Sequence, residues 1–184
     1  FKVLDTNEFV NSDGDLMMHE IQGHLKFDRI HFSYFDDEPV LNNVNFEVQA
    51  GQTLALVGAT GSGKSSIINL ILRFYNVDSG TILLDGKDIM QYNIQSLRSH
   101  VALVLQDVFL FSDTIYNNIV LDKEIPIKEV RNAAKAIGLE GFIEQLPGGY
   151  QYNVRERGVM LSSGQRQLIA FLRAYVCNPS LLIL

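Results

Sequence analysis

The sequence predicts an α/β fold that combines a mainly parallel sheet with an antiparallel β subdomain and an inserted α-helical subdomain. Three observations lead to this prediction. Continuous apolar runs, typical of strands buried on both faces, occur in three places: 53–58, 101–106 and 181–184. Alternating apolar patterns within 24–48, together with the strong hairpin signal Asp85-Gly86, indicate antiparallel strands. From 113 to 176, helical patterns predominate.

The composition is that of a globular protein with ample material for a core. The 184 residues are 47% hydrophobic and 20% charged, which suits one domain, or one domain with a small lobe attached. The formal net charge is −6 and no cluster of Lys and Arg occurs, so the sequence predicts no nucleic-acid partner. No apolar run approaches the roughly 18 residues that a membrane span needs. A single cysteine, Cys177, excludes an intrachain disulfide.

The elements of the first half follow in chain order. Residues 1–24 are polar and irregular, and we interpret them as a linker. The stretch 24–34 alternates imperfectly and 44–48 alternates cleanly, so each predicts a strand with one covered face. After a turn, TLALVG at 53–58 predicts a strand buried on both faces, and 65–75 predicts a helix.

The second half is predicted to be helical between two buried strands. VALVLQ (101–106) predicts a strand that ends on the polar residue Gln106. KEVRNAAKAIGL (128–139) has helical propensity and period, EGFIEQL after it predicts a short helix, and Pro147-Gly148-Gly149 interrupts the chain. LLIL at 181–184 predicts the final strand.

The stretch GATGSGKSS, directly after the predicted strand 53–58, fits the pattern G-x-x-x-x-G-K-[ST]. Small residues suit such a loop because its backbone N–H groups must wrap closely around the β-phosphate of a nucleotide. Lys64 would neutralise the β- and γ-phosphate oxygens, and the Ser65 hydroxyl would ligate Mg²⁺. The predicted cofactor-binding residues are Gly58, Ala59, Thr60, Gly61, Ser62, Gly63, Lys64, Ser65 and Ser66. The alternative is a glycine-rich turn without a ligand.

A second helix start suited to an anion lies about a hundred residues further on. LSSGQRQ, Leu161 to Gln167, opens the amphipathic segment SGQRQLIAFLRAYV. Ser and Gly at the start of such a helix leave backbone N–H groups free to face an anion. The apolar face predicted for this helix comprises Leu168, Phe171, Leu172, Tyr175 and Val176.

From about residue 25 onward, the order of these motifs resembles that of the ATP-binding-cassette (ABC) family. GATGSGKSS is similar to the Walker A loop, the strand end at Gln106 to the Q-loop, LSSGQRQ to the signature segment, and the last apolar strand to the strand that carries Walker B. The resemblance implies a P-loop NTPase-type fold. DVFLFSDTIYNNI (107–119) and VRERG (154–158), with Arg155 where a Gly is usual, resemble segments of lipid and multidrug exporters.

The resemblance implies roles for two residues beyond the loop. Tyr34 would stack on the adenine ring of ATP. Gln106 and Lys64 are the two implied catalytic residues. Gln106 would ligate Mg²⁺ together with Ser65 and would orient the attacking water. A neutral amide suits that task because it both donates and accepts hydrogen bonds. The alternatives are that Tyr34 is an ordinary half-buried strand aromatic and that Gln106 is a polar cap at a strand end.

The resemblance also implies a partner for the second helix start. In this family two cassettes pair head to tail, and the signature helix of each points at the ATP held by the other. Ser162, Ser163, Gly164 and Gln165 would then contact nucleotide in trans. Ser163 departs from the commoner Gly, and the alternative is that the segment is only a helix cap.

We therefore expect residues 1–24 to be a linker from a membrane domain and 25–184 to be an ABC nucleotide-binding domain, with a helical subdomain at about 113–176, cut before the Walker B acidic residues. The expected function is that of an ATP-hydrolysing motor of an exporter, working with transmembrane domains at the cytoplasmic face of the inner membrane. This chain would bind ATP without turnover. The alternative is a regulatory nucleotide-binding module without productive hydrolysis. A soluble cassette ATPase acting on DNA or ribosomes is disfavoured by the acidic charge.

Overall fold

The computed structural model describes residues 14–18, 21–35, 38–155, 158 and 160–184. The chain forms two compact units, a first unit that ends at Val101 and a second unit that runs from Ala102 to Leu184. Each unit is a mixture of strands and helices.

The first unit is built on a four-stranded antiparallel sheet. Its strands are β1 (Leu25–Ser33), β2 (Pro39–Val48), β3 (Ser79–Leu84) and β4 (Lys87–Asp88), in the order β2-β1-β3-β4. The central strand β1 pairs with β2 through Phe27 and Phe46 and with β3 through Phe27 and Ile82. The predicted antiparallel β subdomain is confirmed.

The imperfect alternation of β1 has a structural cause. Its apolar side chains are buried on one face of the sheet: Leu25, Phe27, Ile30 and Phe32. The pairing register shifts between Phe27 and Ile30, and Arg29 in this interval has φ 53°. A bulge of this kind inserts one residue, so the apolar side chains on both sides of it reach the same face.

The hairpin predicted at Asp85-Gly86 joins β3 to β4. Both residues have positive φ, 50° and 78°, as a tight two-residue hairpin turn with the twist of its strands requires. The Asp85 carboxylate also accepts hydrogen bonds from the backbone N–H groups of Gln22, Gly23 and His24. The turn therefore fixes the chain that leads into β1.

Two helices accompany the sheet, α1 (Lys64–Ile71) and α2 (Ile94–Ser99). The helix predicted at 65–75 thus begins one residue earlier and ends four residues sooner. Arg73 terminates it, because its φ of 51° is left-handed. The buried Arg73 guanidinium donates to the carbonyl oxygen of Tyr92 at 2.6 Å, and Arg98 of α2 donates to the carbonyl of Leu72 at 2.9 Å. The Arg98 bond satisfies a carbonyl directly after α1, and the two bonds together connect the end of α1 to Tyr92 and to α2.

The prediction of a doubly buried strand at 53–58 is wrong for this structure. Residues 52–59 form no strand, and Leu54, Leu56 and Val57 are exposed, Val57 by 89%. A strand is buried on both faces only when neighbouring strands and covering helices flank it. None of the strands in the described part of the chain pairs with this segment.

The predicted linker 1–24 lies largely outside the described residues, but 14–18 are described. Leu16 forms a bridge with Tyr92, and its backbone N–H donates to the carbonyl of Gln91 at 3.1 Å. The N–H of Met18, which is buried, donates to the hydroxyl of Ser96 at 2.8 Å. This short piece is therefore attached to the first unit, and the wider linker assignment stays a prediction.

The second unit combines a two-stranded sheet with four helices. The strands are β5 (Val101–Leu103) and β6 (Leu181–Ile183), and the helices are α3 (Ile115–Val120), α4 (Ile127–Ala136), α5 (Glu140–Glu144) and α6 (Ser163–Val176). β5 is shorter than the predicted strand 101–106, although the Val104 N–H still donates to the carbonyl of Ile183 at 2.9 Å. The helices lie where helical patterns were predicted, and the mainly parallel sheet stays a prediction.

The helices of the second unit enclose one apolar core. It is formed mainly by Leu110, Ile115, Ile119, Val130, Ala134, Ile143, Val154, Leu161, Ile169 and Leu172. The apolar face predicted for α6 is partly wrong: Leu172 is buried as predicted, but Leu168 and Tyr175 are 39% and 40% exposed, and the buried Ile169 was not included. α3 and α4 pack against α6. A helix with apolar residues on more than one side buries the side that its neighbours cover.

Within the described part of the chain, no helix combines the length and the apolar character that crossing a membrane requires.

Candidate functional site

The glycine-rich loop leads directly into α1. Gly63 is the N-cap residue of α1, with φ 87°, and Gly61 has φ 83°. The Ile67 N–H makes the first helical bond, to the carbonyl of Gly63 at 3.1 Å. The N–H groups of the first helical turn have no acceptor within an α-helix, and they carry the positive end of its dipole. This helix start is therefore suited to an anion, as the sequence predicts.

The Lys64 side chain folds back over the loop. Its ammonium donates to the carbonyl oxygens of Gly58 and Ala59, both at 2.8 Å, and lies 3.3 Å from the Ser62 hydroxyl. The loop is closed on itself by the Ser62 N–H, which donates to the carbonyl of Ala59 at 3.2 Å. The charge of Lys64 thus lies against the loop, directly before the N-terminus of α1, where the helix dipole is positive. Both features attract the same kind of ligand, a polyanion.

The two sides of the loop differ in how closely they are packed. A Cβ added at Gly63 would lie 2.6 Å from Leu41 Cδ2 and 3.3 Å from the carbonyl oxygen of Val40, both on β2. A Cβ at Gly61 would meet nothing within 4 Å. The loop is therefore pressed against the sheet at Gly63 and open to solvent at Gly61, where Thr60 and Ser62 are exposed as well.

Tyr34 lies beside the loop, attached to α1 by its hydroxyl. The Tyr34 hydroxyl is 3.0 Å from Ser66 Oγ and accepts a hydrogen bond from Asn69 Nδ2 at 3.2 Å. The rings of Phe32 and Tyr75 pack almost perpendicular to the Tyr34 ring, with centroids 4.8 Å and 5.0 Å away and interplanar angles of 79° and 87°. Tyr34 remains 40% exposed. Among the predicted site residues, the structure therefore brings Tyr34 together with Ser66.

Asn69 and Tyr75 are contacts that the sequence reasoning did not include. A signal for Asn69 was present, because it follows Ser66 by three residues and residues three apart share one face of a helix. Tyr75 lies after α1 has ended, so helical spacing does not place it.

The remaining predicted site residues lie in the second unit. Gln106 is exposed and follows the end of β5 by three residues. Ser65, its predicted partner in binding Mg²⁺, is an exposed residue of α1 in the first unit. Their common metal role stays a prediction.

The signature segment forms a complete helix cap. The Ser162 hydroxyl accepts a hydrogen bond from the Gln165 N–H at 3.2 Å, and Gln165 Oε1 accepts one from the Ser162 N–H at 2.8 Å. This reciprocal pair is a capping box. Ser163 and Gly164 are exposed at the start of α6, and a Cβ at Gly164 would come no closer than 4.0 Å to Ser162 Oγ. The helix-cap interpretation is therefore correct as a description of the chain by itself, and the contact in trans stays a prediction.

The segment 154–158, which resembles an exporter segment, is only partly described, because residues 156 and 157 lie outside the described residues. Arg155 has φ 57°, a backbone conformation that favours glycine. The glycine that is usual at this position in the similar segments thus has a conformational reason.

A glycine-rich loop with its lysine at the start of a helix is typical of P-loop proteins. The family model described as ABC transporter matches residues 41–184, most of the chain. The chain therefore belongs to the ABC transporter family.

The relatives refine this assignment to exporters. A probable multidrug resistance ABC transporter ATP-binding/permease protein of Bacillus subtilis is 48% identical over 163 residues, which cover 88% of this chain and 24% of the relative. An ATP-dependent lipid A-core flippase of Saccharophagus degradans is 44% identical over 185 residues, 100% of this chain and 31% of the relative. A solved bacterial Atm1-family ABC exporter with ATP bound has a TM-score of 0.86 and 38% identity, over 99% of this chain and 32% of that one. The chain thus spans less than a third of the length of each, and the predicted likeness to exporters is confirmed.

Proposed function

We propose that the chain is the ATP-binding domain of an ABC exporter, and that the parent transporter hydrolyses ATP to move a substrate across a membrane. The observation that carries the proposal is the position of the Lys64 ammonium, bonded to the loop carbonyls of Gly58 and Ala59 beside the N-terminus of α1. Lysine, loop and helix present donors and positive charge to one volume, as binding of a triphosphate requires.

The residues divide by the part of the nucleotide that they bind. The phosphates are assigned to the loop from Gly58 to Ser66, where small residues let the backbone approach closely. The adenine ring is assigned to Tyr34, since its ring is partly exposed and its hydroxyl is bonded to the same helix. Both parts lie in the first unit, which supports a single site for both ends of ATP.

The residues present fit Mg²⁺ as a companion of the nucleotide. Mg²⁺ usually takes one or two protein oxygens and completes its shell with phosphate oxygens and water. The exposed Ser65 hydroxyl in the first turn of α1 would hold it as a protein ligand. In the described part of the chain, no group of three His, Cys, Asp or Glu residues offers a separate metal site. When bound, Mg²⁺ neutralises part of the phosphate charge.

The proposed partners are a second cassette and the transmembrane domains of the parent protein. Ser162, Ser163, Gly164 and Gln165 start α6 at the protein surface. In a head-to-tail pair they would face the ATP of the other cassette. We place the domain, residues 25–184 with residues 1–24 as its linker, at the cytoplasmic face of the inner membrane. The names of the relatives, ATP-binding/permease protein and lipid flippase, support the motor over a purely regulatory module.

For this chain alone we propose ATP binding without turnover. The attacking water needs a base within hydrogen-bond reach. Gln106 is neutral and orients water without taking its proton, and Lys64 is a cation. Phosphate release from purified chain in Mg·ATP should therefore equal that of a Lys64→Ala variant, and sustained release that this substitution removes would contradict the proposal.

The assignment of the adenine base to Tyr34 and of the phosphates to the loop is tested with Tyr34→Ala. Stacking of a base on an aromatic ring is worth about 1–3 kcal/mol, so Mg·ATP affinity should fall by about 5- to 150-fold. Affinity for Mg·tripolyphosphate, which has no base, should be unchanged. Equal Mg·ATP affinities for Tyr34→Ala and the original chain would show that the base binds elsewhere.

A further inference from the structure

The side chains of Asn69, Tyr34 and Ser66 form a continuous line of hydrogen bonds. Tyr34, the proposed stacking partner of adenine, lies at the centre of this line, and Ser66 lies at the start of α1. Asn69 Nδ2 donates to the Tyr34 hydroxyl at 3.2 Å, and the Tyr34 hydroxyl lies 3.0 Å from Ser66 Oγ. Ser66 and Asn69 are three residues apart on α1 and therefore share one face of the helix. Tyr34 comes from the segment that follows β1, so the line connects two separate elements.

The donor inventory fixes the direction of the first hydrogen bond in the line. The amide nitrogen of Asn69 only donates, so the Tyr34 oxygen is its acceptor. Between the hydroxyls of Tyr34 and Ser66, either one can donate to the other. Ser66 lies in the first turn of α1, whose backbone N–H groups have no acceptor within the helix. The line therefore connects Asn69 and the Tyr34 ring to the helix start at the phosphate end of the proposed site.

The Ser66 end of the line is shielded from water. Ser66 is 4% exposed, and hydrogen bonds shielded from water are stronger and polarise one another along a chain. The rings of Phe32 and Tyr75 pack almost perpendicular to the Tyr34 ring. These ring contacts limit the tilt of the Tyr34 ring, and the hydroxyl contacts hold its far end. The Tyr34 ring is therefore oriented before any base stacks on it.

We propose that Asn69 is a positioning residue for the Tyr34 ring, and that the hydroxyls of Tyr34 and Ser66 couple binding of the base to binding of the phosphates. This inference rests on the proposed ATP site. A platform that is already oriented binds more tightly because less side-chain freedom is lost on binding. When the Tyr34 hydroxyl donates to Ser66 Oγ, the Ser66 hydroxyl becomes a better donor to a phosphate oxygen.

The first test replaces Asn69 with leucine, which has a similar size and no donor. Loss of one hydrogen bond predicts a fall in Mg·ATP affinity of about three- to tenfold. Affinity for Mg·tripolyphosphate should change less than twofold, which also shows that the variant is folded. The matched control is Asn76→Leu, the same change at an exposed position after α1, which should leave both affinities unchanged. Unchanged Mg·ATP affinity in Asn69→Leu would overturn the positioning role, as would an equal loss for both ligands.

The second test is a double-mutant cycle with Tyr34→Phe and Ser66→Ala, measured by Mg·ATP titration. If the two hydroxyls act as one line, the double variant should lose clearly less affinity than the product of the two single losses. Losses that multiply would show independent hydroxyls and overturn the coupling. Failure of the proposed ATP site would give a different titration result, because the original chain would then bind neither Mg·ATP nor Mg·tripolyphosphate.

Discussion

The contrast between Gly61 and Gly63 gives a quantitative test of how the loop is packed. Both glycines have φ above 80°, so a side chain at either position adopts a left-handed backbone. For a non-glycine residue this costs roughly 1–2 kcal/mol. At Gly61 the added methyl group meets nothing within 4 Å, so this backbone cost is the whole predicted effect of Gly61→Ala on the free energy of unfolding.

Gly63→Ala carries a second cost. Its methyl group would lie 2.6 Å from Leu41 Cδ2, and Leu41 is only 3% exposed, so it has little room to move. Overpacking of this kind typically costs about 1–3 kcal/mol. Gly63→Ala should therefore be less stable than Gly61→Ala by about 1–3 kcal/mol. At about 2–4 °C per kcal/mol for a chain of this size, the two Tm values should differ by about 2–12 °C.

The assay is thermal unfolding of both variants, followed by circular dichroism at one protein concentration, with urea unfolding as the second measurement. Gly63→Ala should also bind Mg·ATP more weakly, because a shift at Leu41 displaces the loop at the start of α1. Equal Tm values for the two variants would refute the packing argument, since they share the backbone cost and differ only in the contact with β2.

Two further predictions concern the second unit. Ser162→Ala should lower the free energy of unfolding by about 1 kcal/mol, because the capping box is lost. Ser163→Ala, at the next position, leaves the capping box intact and should not have this effect. Equal urea midpoints for the two variants would contradict this prediction. Tyr150→Phe should cost about 1–3 kcal/mol, because the Tyr150 hydroxyl donates to the buried Glu140 carboxylate. Burial and the Glu140 hydrogen bond raise the pKa of Tyr150 above its ordinary value of about 10. The protonated phenol therefore stabilises the fold below pH about 10, and this stabilisation is lost as the pH rises further. Between about pH 9 and 11 the original chain should therefore lose more stability than Tyr150→Phe. Parallel pH profiles of unfolding free energy for the two proteins would contradict the assignment.

The antiparallel sheet and the loop could be predicted because their signals are local. Asp85-Gly86 specifies its own turn geometry, and the alternation in β1 and β2 reports one covered face of the same sheet. The loop at 58–65 and the cap at Ser162 depend on contacts between residues six or fewer positions apart. Such features follow from short-range chemistry, so the sequence pattern was sufficient.

The predictions were wrong where contacts between segments far apart in the sequence determine the structure. The run 53–58 has the composition of a buried strand, yet burial on both faces depends on strands supplied from elsewhere in the chain. In α6 the apolar residues occupy more than one side, and packing against α3 and α4 buries Ile169, which was not predicted, and leaves Leu168 and Tyr175 exposed. Helical period alone does not distinguish these sides.

The contacts of Tyr34 show a third kind of limit. Stacking alone predicts that Tyr34→Phe binds ATP as well as the original chain, because the two rings are alike. The hydroxyl contacts with Ser66 and Asn69 change this expectation to a measurable loss. They join segments more than thirty residues apart, and no spacing rule connects such segments.

Isothermal titration calorimetry with Mg·ATP tests the central claim most directly, the claim that the loop and Lys64 form a nucleotide site. Three proteins are compared: the original chain, Lys64→Ala, and Lys87→Ala as a control at an exposed lysine on β4. The original chain and Lys87→Ala should bind one ATP per chain with equal affinity, and Lys64→Ala should show no saturable heat. Equal affinity in all three proteins, or no binding by the original chain, would contradict the account.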